Sequence, residues 1–199
     1  MIMRQFLIRA KGAPVDPKKF LASTGVNGHV EYLANVVQQT LLISQGHRAD
    51  TQLTLVLEKS DNYSRAIEID GASLGSLSGW QEANILEFFA EVLACGKYLK
   101  KDEMVPFIGG VNIRATSFER LVRNYSGKIA MLDPKGSDIR LEPRLEDLLF
   151  IMTDHIPMER NTRKYLQRLG ARSFSLGPVI LHSSQCVALV HNELDRQSN

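Results

Sequence analysis

The sequence predicts an α/β fold in which a mostly parallel sheet is flanked by helices. Short runs rich in β-branched and aromatic residues alternate with segments of helical periodicity along the chain. One run, Leu148 to Met152, is continuously apolar, as a strand covered on both faces would be. No internal repeat, low-complexity tract or linker divides the 199 residues, so 1–199 reads as one domain with a full core.

The elements follow in order. A strand is expected at Arg4 to Ala10, then a helix from His29 to Ser44 with Leu33, Val36, Val37, Thr40 and Leu41 on one face. Gln52 to Glu58 and Ala66 to Ile69 flank the turn-prone stretch from Lys59 to Tyr63 and read as a hairpin. After a loose passage from Gly71 to Gly79, a helix from Trp80 to Lys97 puts Ile85, Phe88, Phe89, Val92 and Leu93 on its apolar side. Then come a strand at Val111 to Arg114, a helix at Ser117 to Asn124, and strands at Lys128 to Leu132 and Leu148 to Met152. A helix from Met158 to Leu169 stops at Gly170, a strand covers Ser173 to Leu176, and a last helix runs from Ser184 to Arg196.

Composition excludes several classes of function. The formal net charge of +2 is too small to argue for nucleic acid, so any basic surface must be local. Cys95 and Cys186 stand far apart without metal-ligand spacing, which fits a reduced protein without structural zinc. The N-terminus is too short and too charged for a signal peptide, and no apolar run reaches membrane-spanning length. The expectation is a cytoplasmic protein with no membrane contact.

Dinucleotide-binding, phosphate-loop, serine-hydrolase and zinc-protease signatures are all absent. His155, His182 and His191 lie in the last third, but no pair has the i,i+4 spacing of helical ligands, so no metal is expected. Asp154 and His155 follow the apolar strand directly, and ligands of open α/β folds gather at the carboxyl ends of strands; Asp154 is therefore a candidate site residue, or a simple turn. Arg160, Arg163, Lys164 and Arg168 make the following helix basic and amphipathic, suited to RNA phosphates or to plain solvation. From Ser173 to Cys186, a strand runs into Gly177 and Pro178 and apolar residues continue to a serine-rich helix start. Leu176, Val179, Ile180, Leu181 and Cys186 could line a flat pocket beside a close backbone approach at Gly177, or could be core.

These residues carry a resemblance. Thr153 to Ile156 after an apolar strand, Ser175 to His182, Cys186, and Val190 to Asp195 resemble the archaeal tRNA pseudouridine N1-methyltransferase family. Met3 to Phe6, Ser44, Arg48, Asp50, Ile113, Arg114 and Phe118 extend the likeness over nearly the whole chain. Thr153 and Pro157 stand where archaeal members have glycines, and Gly28 to Glu31 where they have Gly-Arg-Leu-Asp. The resemblance implies a fold of the SPOUT class, with a C-terminal trefoil knot that binds S-adenosylmethionine, and a homodimer. Carried over by position, it implies cofactor contacts from Leu132, Thr153, Leu176, Gly177, Pro178, Val179, Ile180, Leu181 and Cys186.

The function so implied is methyl transfer to N1 of a pseudouridine, in tRNA. That nitrogen must lose a proton, and Asp154 is the nearest candidate acceptor in sequence, unless it shapes the knot. Arg48 and Arg114 are candidate RNA contacts beside the basic helix, with surface pairing as the alternative. Val187, Val190 and Leu194 of the last helix offer an apolar stripe to a second subunit. Two rival functions remain: methylation of another RNA nucleotide, and RNA binding by a knotted protein without turnover.

Overall fold

The computed structural model describes residues 3–75 and 79–198. In chain order the elements are β1 (Arg4–Pro14), α1 (Pro17–Leu21), α2 (Glu31–Leu41), β2 (Leu42–Ile43), β3 (Gly46–His47), β4 (Thr51–Lys59), β5 (Arg65–Asp70) and α3 (Glu82–Cys95). The second half gives β6 (Met104–Pro106), β7 (Val111–Ala115), α4 (Phe118–Asn124), β8 (Lys128–Asp138), β9 (Leu148–Thr153), α5 (Arg160–Arg168), β10 (Arg172–Ser175) and α6 (Ser183–Gln197). Eight strands form one sheet in the order β10-β8-β9-β1-β4-β5-β7-β6. The first five are parallel, and β5, β7 and β6 continue antiparallel.

The two-residue period of a strand decides which side chain faces which layer. Phe6 and Ile8 of β1 point into a core closed by α2, α3 and α6, where Leu33, Val37, Phe89 and Val190 are buried. Leu7 points the other way, to Phe118, Val122 and Leu166 of α4 and α5. Phe150 and Met152 share the first core while Leu149 and Ile151 share the second, so the unbroken apolar run of β9 reflects helices on both faces. Each such large side chain contributes roughly 1.5–3 kcal/mol on burial.

Several boundaries differ from expectation. The first helix ends at Leu41 because Gly46, with φ +148°, lets the chain fold back and pair β2 with β3. An unexpected one-turn helix, α1, is capped by Asp16, whose carboxylate accepts from the Lys18 and Lys19 amides at 3.1 and 3.0 Å ahead of Pro17. Residues 76–78 of the expected loose passage lie outside the described residues. Val187, Val190 and Leu194 are buried against α2 and the sheet, so the stripe assigned to a second subunit is occupied within the chain.

Candidate cofactor cleft

The parallel half of the sheet makes a cleft through one irregularity. Along β10, Ser173 pairs with Met131 of β8, but the next residue, Phe174, pairs with Ser137. Residues 132–136 therefore drop out of the ladder, and Leu132, Asp133 and Pro134 form one wall. The carboxyl ends of β9 and β10, the segment 176–181 and the start of α6 supply the others, as ligand sites in open α/β sheets do. The cavity holds about 280 Å³.

Its walls are largely apolar. Leu132, Met152, Phe174, Leu176, Ile180 and Leu181 provide flat faces, and Cys186 adds a polarizable thiol. Burial pushes that thiol up from its ordinary pKa, so Cys186 stays protonated and makes a packing contact rather than a nucleophile. The Ser183 hydroxyl donates to the Thr153 carbonyl at 2.5 Å and ties α6 to the end of β9. The Gly177 amide donates to Ser175 Oγ at 3.2 Å. Gly177 adopts φ +126°, which a side chain would strain, yet a β-carbon there would meet nothing within 4 Å; its glycine serves the backbone conformation rather than a close protein approach. Residues 176–181 belong to no helix or strand, which leaves their main chain available to a ligand's polar edge.

Of the nine expected cofactor residues, Leu132, Thr153, Leu176, Gly177, Val179, Ile180, Leu181 and Cys186 line this cleft. Pro178 turns away and lines a neighbouring cavity with Ile139 and Leu189. Asp154 does not line it. Its side chain is 2% exposed, Oδ1 accepts from the Ile156 amide at 2.9 Å, and Oδ2 stands 3.8 Å from His155 Nδ1. Burial raises the Asp154 carboxyl above the usual carboxylate range, with the Ile156 hydrogen bond opposing.

The expected RNA residues separate into two groups. Arg160, Lys164 and Arg168 project from α5 into solvent. Arg163, on the same helix, enters the cleft and pairs with Asp133. Arg48 binds Asp195 through two hydrogen bonds of 3.0 and 2.8 Å, and Arg114 binds Glu68 at 2.9 Å, so both are engaged within the chain. Asp133 is a site residue that sequence patterns did not single out. The available signal was an acidic residue directly after the apolar end of a predicted strand. Among the described residues no cluster of three His, Cys, Asp or Glu side chains could hold a metal, and no helix is long and apolar enough to cross a membrane.

Residues 3–199 match the family described as "putative SAM-dependent RNA methyltransferase". The chain belongs to this family. It is 38% identical over 195 residues to a "putative pseudouridine methyltransferase" of Shewanella frigidimarina, covering 97% of this chain and 98% of that one. A protein of the same name from Vibrio vulnificus is 38% identical over 197 residues, covering 98% of this chain and all of the relative. The fold is shared with Archaeoglobus fulgidus Nep1, crystallised bound to S-adenosylhomocysteine, at a TM-score of 0.63, 11% identity and 99% coverage of both chains.

Proposed function

We propose that this chain binds S-adenosylmethionine in the cleft and transfers its methyl group to N1 of a pseudouridine in tRNA. It acts as one domain spanning 1–199, knotted at its C-terminal end, and as a cytoplasmic homodimer. The observation that carries the reading is the meeting of Leu132, Thr153, Leu176, Gly177, Val179, Ile180, Leu181 and Cys186, distant in sequence, around one apolar cavity. The naming of the bacterial relatives supports the pseudouridine acceptor, and the S-adenosylhomocysteine in the Nep1 crystal supports the cofactor. The knot is supported by the fold likeness to Nep1. A second subunit has exposed apolar surface to cover at Val179, Ile180 and Leu189.

The residues fit such a ligand. Leu132, Leu176 and Leu181 would hold the adenine faces, the 176–181 main chain its polar edge, and Cys186 would pack beside them. When bound, S-adenosylmethionine supplies a methyl already activated by its sulfonium, so the protein's work is orientation and the exclusion of water. Thr153 and Pro157, which replace glycines of the archaeal pattern, both line the cleft. The acceptor nitrogen must shed a proton. Asp154, the residue directly after Thr153 of the cleft, is assigned to receive it, since burial leaves its carboxylate more basic than an exposed one. Arg160, Lys164 and Arg168 would grip phosphates beside the cleft.

Incubation with labelled S-adenosylmethionine and total tRNA, prepared with and without pseudouridine, tests the reading. Label appearing only where pseudouridine is present is the expected result. Label independent of pseudouridine would identify another nucleotide as acceptor, and cofactor binding without transfer to any RNA would identify a non-catalytic protein.

A further inference from the structure

The residues lining the cleft include two charged side chains, Asp133 and Arg163, and these are paired with each other. A buried or half-buried ion pair is costly to assemble, and it gives an adenine ring nothing that the leucines and the 176–181 main chain do not already provide. Asp133 is 15% exposed and so not an ordinary surface charge, while Arg163, at 39%, reaches the cleft from its rim. They also come from opposite walls: Asp133 from the excursion of β8, Arg163 from α5.

We propose that Asp133 and Arg163 form a subsite for the zwitterionic amino-acid end of the cofactor, Arg163 taking the carboxylate and Asp133 the ammonium. This rests on the assignment of the cleft to S-adenosylmethionine and extends it to the part of the ligand that the apolar walls cannot recognise. Among the described residues Arg163 uses only Nη1, toward Asp133 Oδ2; its Nε and Nη2 carry no protein partner and keep the planar fork that matches a carboxylate. Asp133 is held from behind, its Oδ1 accepting from the Lys135 amide at 2.9 Å. Each of its oxygens retains a second lone pair for an ammonium. A zwitterion between them would complete a ring of four alternating charges, so the pair need not separate to bind it.

The test compares two ligands by calorimetry with the full chain. S-adenosylhomocysteine carries the amino-acid end; 5′-methylthioadenosine has the same adenine, ribose and thioether without it. Arg163→Gln and Asp133→Asn are each expected to weaken S-adenosylhomocysteine about tenfold or more, the effect of removing one charge-assisted hydrogen bond, and to leave 5′-methylthioadenosine within about twofold. Arg163→Lys, which keeps the charge and loses the fork, is expected to fall between. Equal weakening of both ligands would overturn the proposal, because Asp133 would then be reading the ribose hydroxyls or merely holding the wall. Unchanged binding of both would overturn it as well. If wild-type protein bound neither ligand, the cofactor assignment itself would fail and the subsite with it. Should Asp133→Asn not fold, as judged by circular dichroism, the Arg163 variants decide alone.

Discussion

Gly136 passes so close to Phe174 that a β-carbon on the glycine would lie 2.7 Å from the Phe174 nitrogen and carbonyl carbon. This is where β8 rejoins β10 after its excursion, and the near atoms are backbone, so no side-chain rotation relieves the clash. Gly136→Ala is expected to lower stability by about 1–3 kcal/mol, the usual cost of overpacking, seen as a melting temperature lower by roughly 5 °C. It should also weaken S-adenosylhomocysteine, because the displaced segment is a wall of the cleft. A variant that melts with the wild type would show that the two strands do not meet so closely.

The contrast between Gly136 and Gly177 shows what the sequence could disclose. Gly177, followed by Pro178 in an apolar run, reads as special from sequence, and the cleft does include it. Gly136 sits in the polar stretch Asp133 to Asp138, where nothing local distinguishes a turn from a strand that bends past another. Its constraint comes from Phe174, far along the chain. Periodicity discloses β1, β4, β5, β9 and the long helices, because each buries a face whose spacing is written in its own residues. It does not disclose the far end of β8 or any of β6, whose pairing is set by partners. The helix start at Asp16-Pro17 does carry a local signal, a capping carboxylate ahead of a proline, but the helix it opens is too short to show a period. The cleft followed from family likeness rather than from pattern, since apolar residues that line a cavity and those that fill a core look alike in one dimension.

α5 presents its cations in two directions. Arg160, Lys164 and Arg168 are exposed while Arg163 enters the cleft, so the basic helix should divide by function. Lys164→Gln with Arg168→Gln is expected to lower tRNA affinity and to reduce the slope of log affinity against log salt by about 1.5, since each neutralised phosphate accounts for roughly 0.7–0.9 of that slope. S-adenosylhomocysteine binding should not change. An unaltered salt slope in filter binding would remove α5 from the RNA surface.

Val179 and Ile180 are 68% and 86% exposed, an unusual position for aliphatic side chains beside a ligand cleft. If a second subunit covers them, Ile180→Asp should convert a dimer to a monomer at micromolar concentration, measured by light scattering. A wild-type chain already monomeric, or a variant that stays dimeric, would leave this segment exposed to solvent.

His191 lies in the core of the α2–α6 contact at 2% exposure, and its partners fix its protonation state. The Arg4 guanidinium can only donate, so its 3.2 Å contact requires a lone pair on His191 Nδ1. The Thr40 carbonyl can only accept, so its 3.0 Å contact places the proton on Nε2. Burial first, then the positive charges of Arg48 and Arg4, hold the imidazole down at about 4, with the Thr40 carbonyl and Asp195 opposing. A histidine kept neutral in the folded state and titrating near 6.5 in the unfolded chain gives stability that is complete above pH 6.5 and declines as pH falls from 6.5 to 4. The decline across that window is about 3 kcal/mol. Asp195, held at about 2 by Arg48 and Arg4, loses its own contribution only as pH falls from about 4, at the end of this window. Urea unfolding at pH 7.5, 6, 5 and 4 should therefore show a steeper decline for the wild type than for His191→Gln, whose amide can still accept from Arg4 and donate to Thr40 but cannot titrate. Parallel curves for the two proteins would mean that some other group controls acid stability.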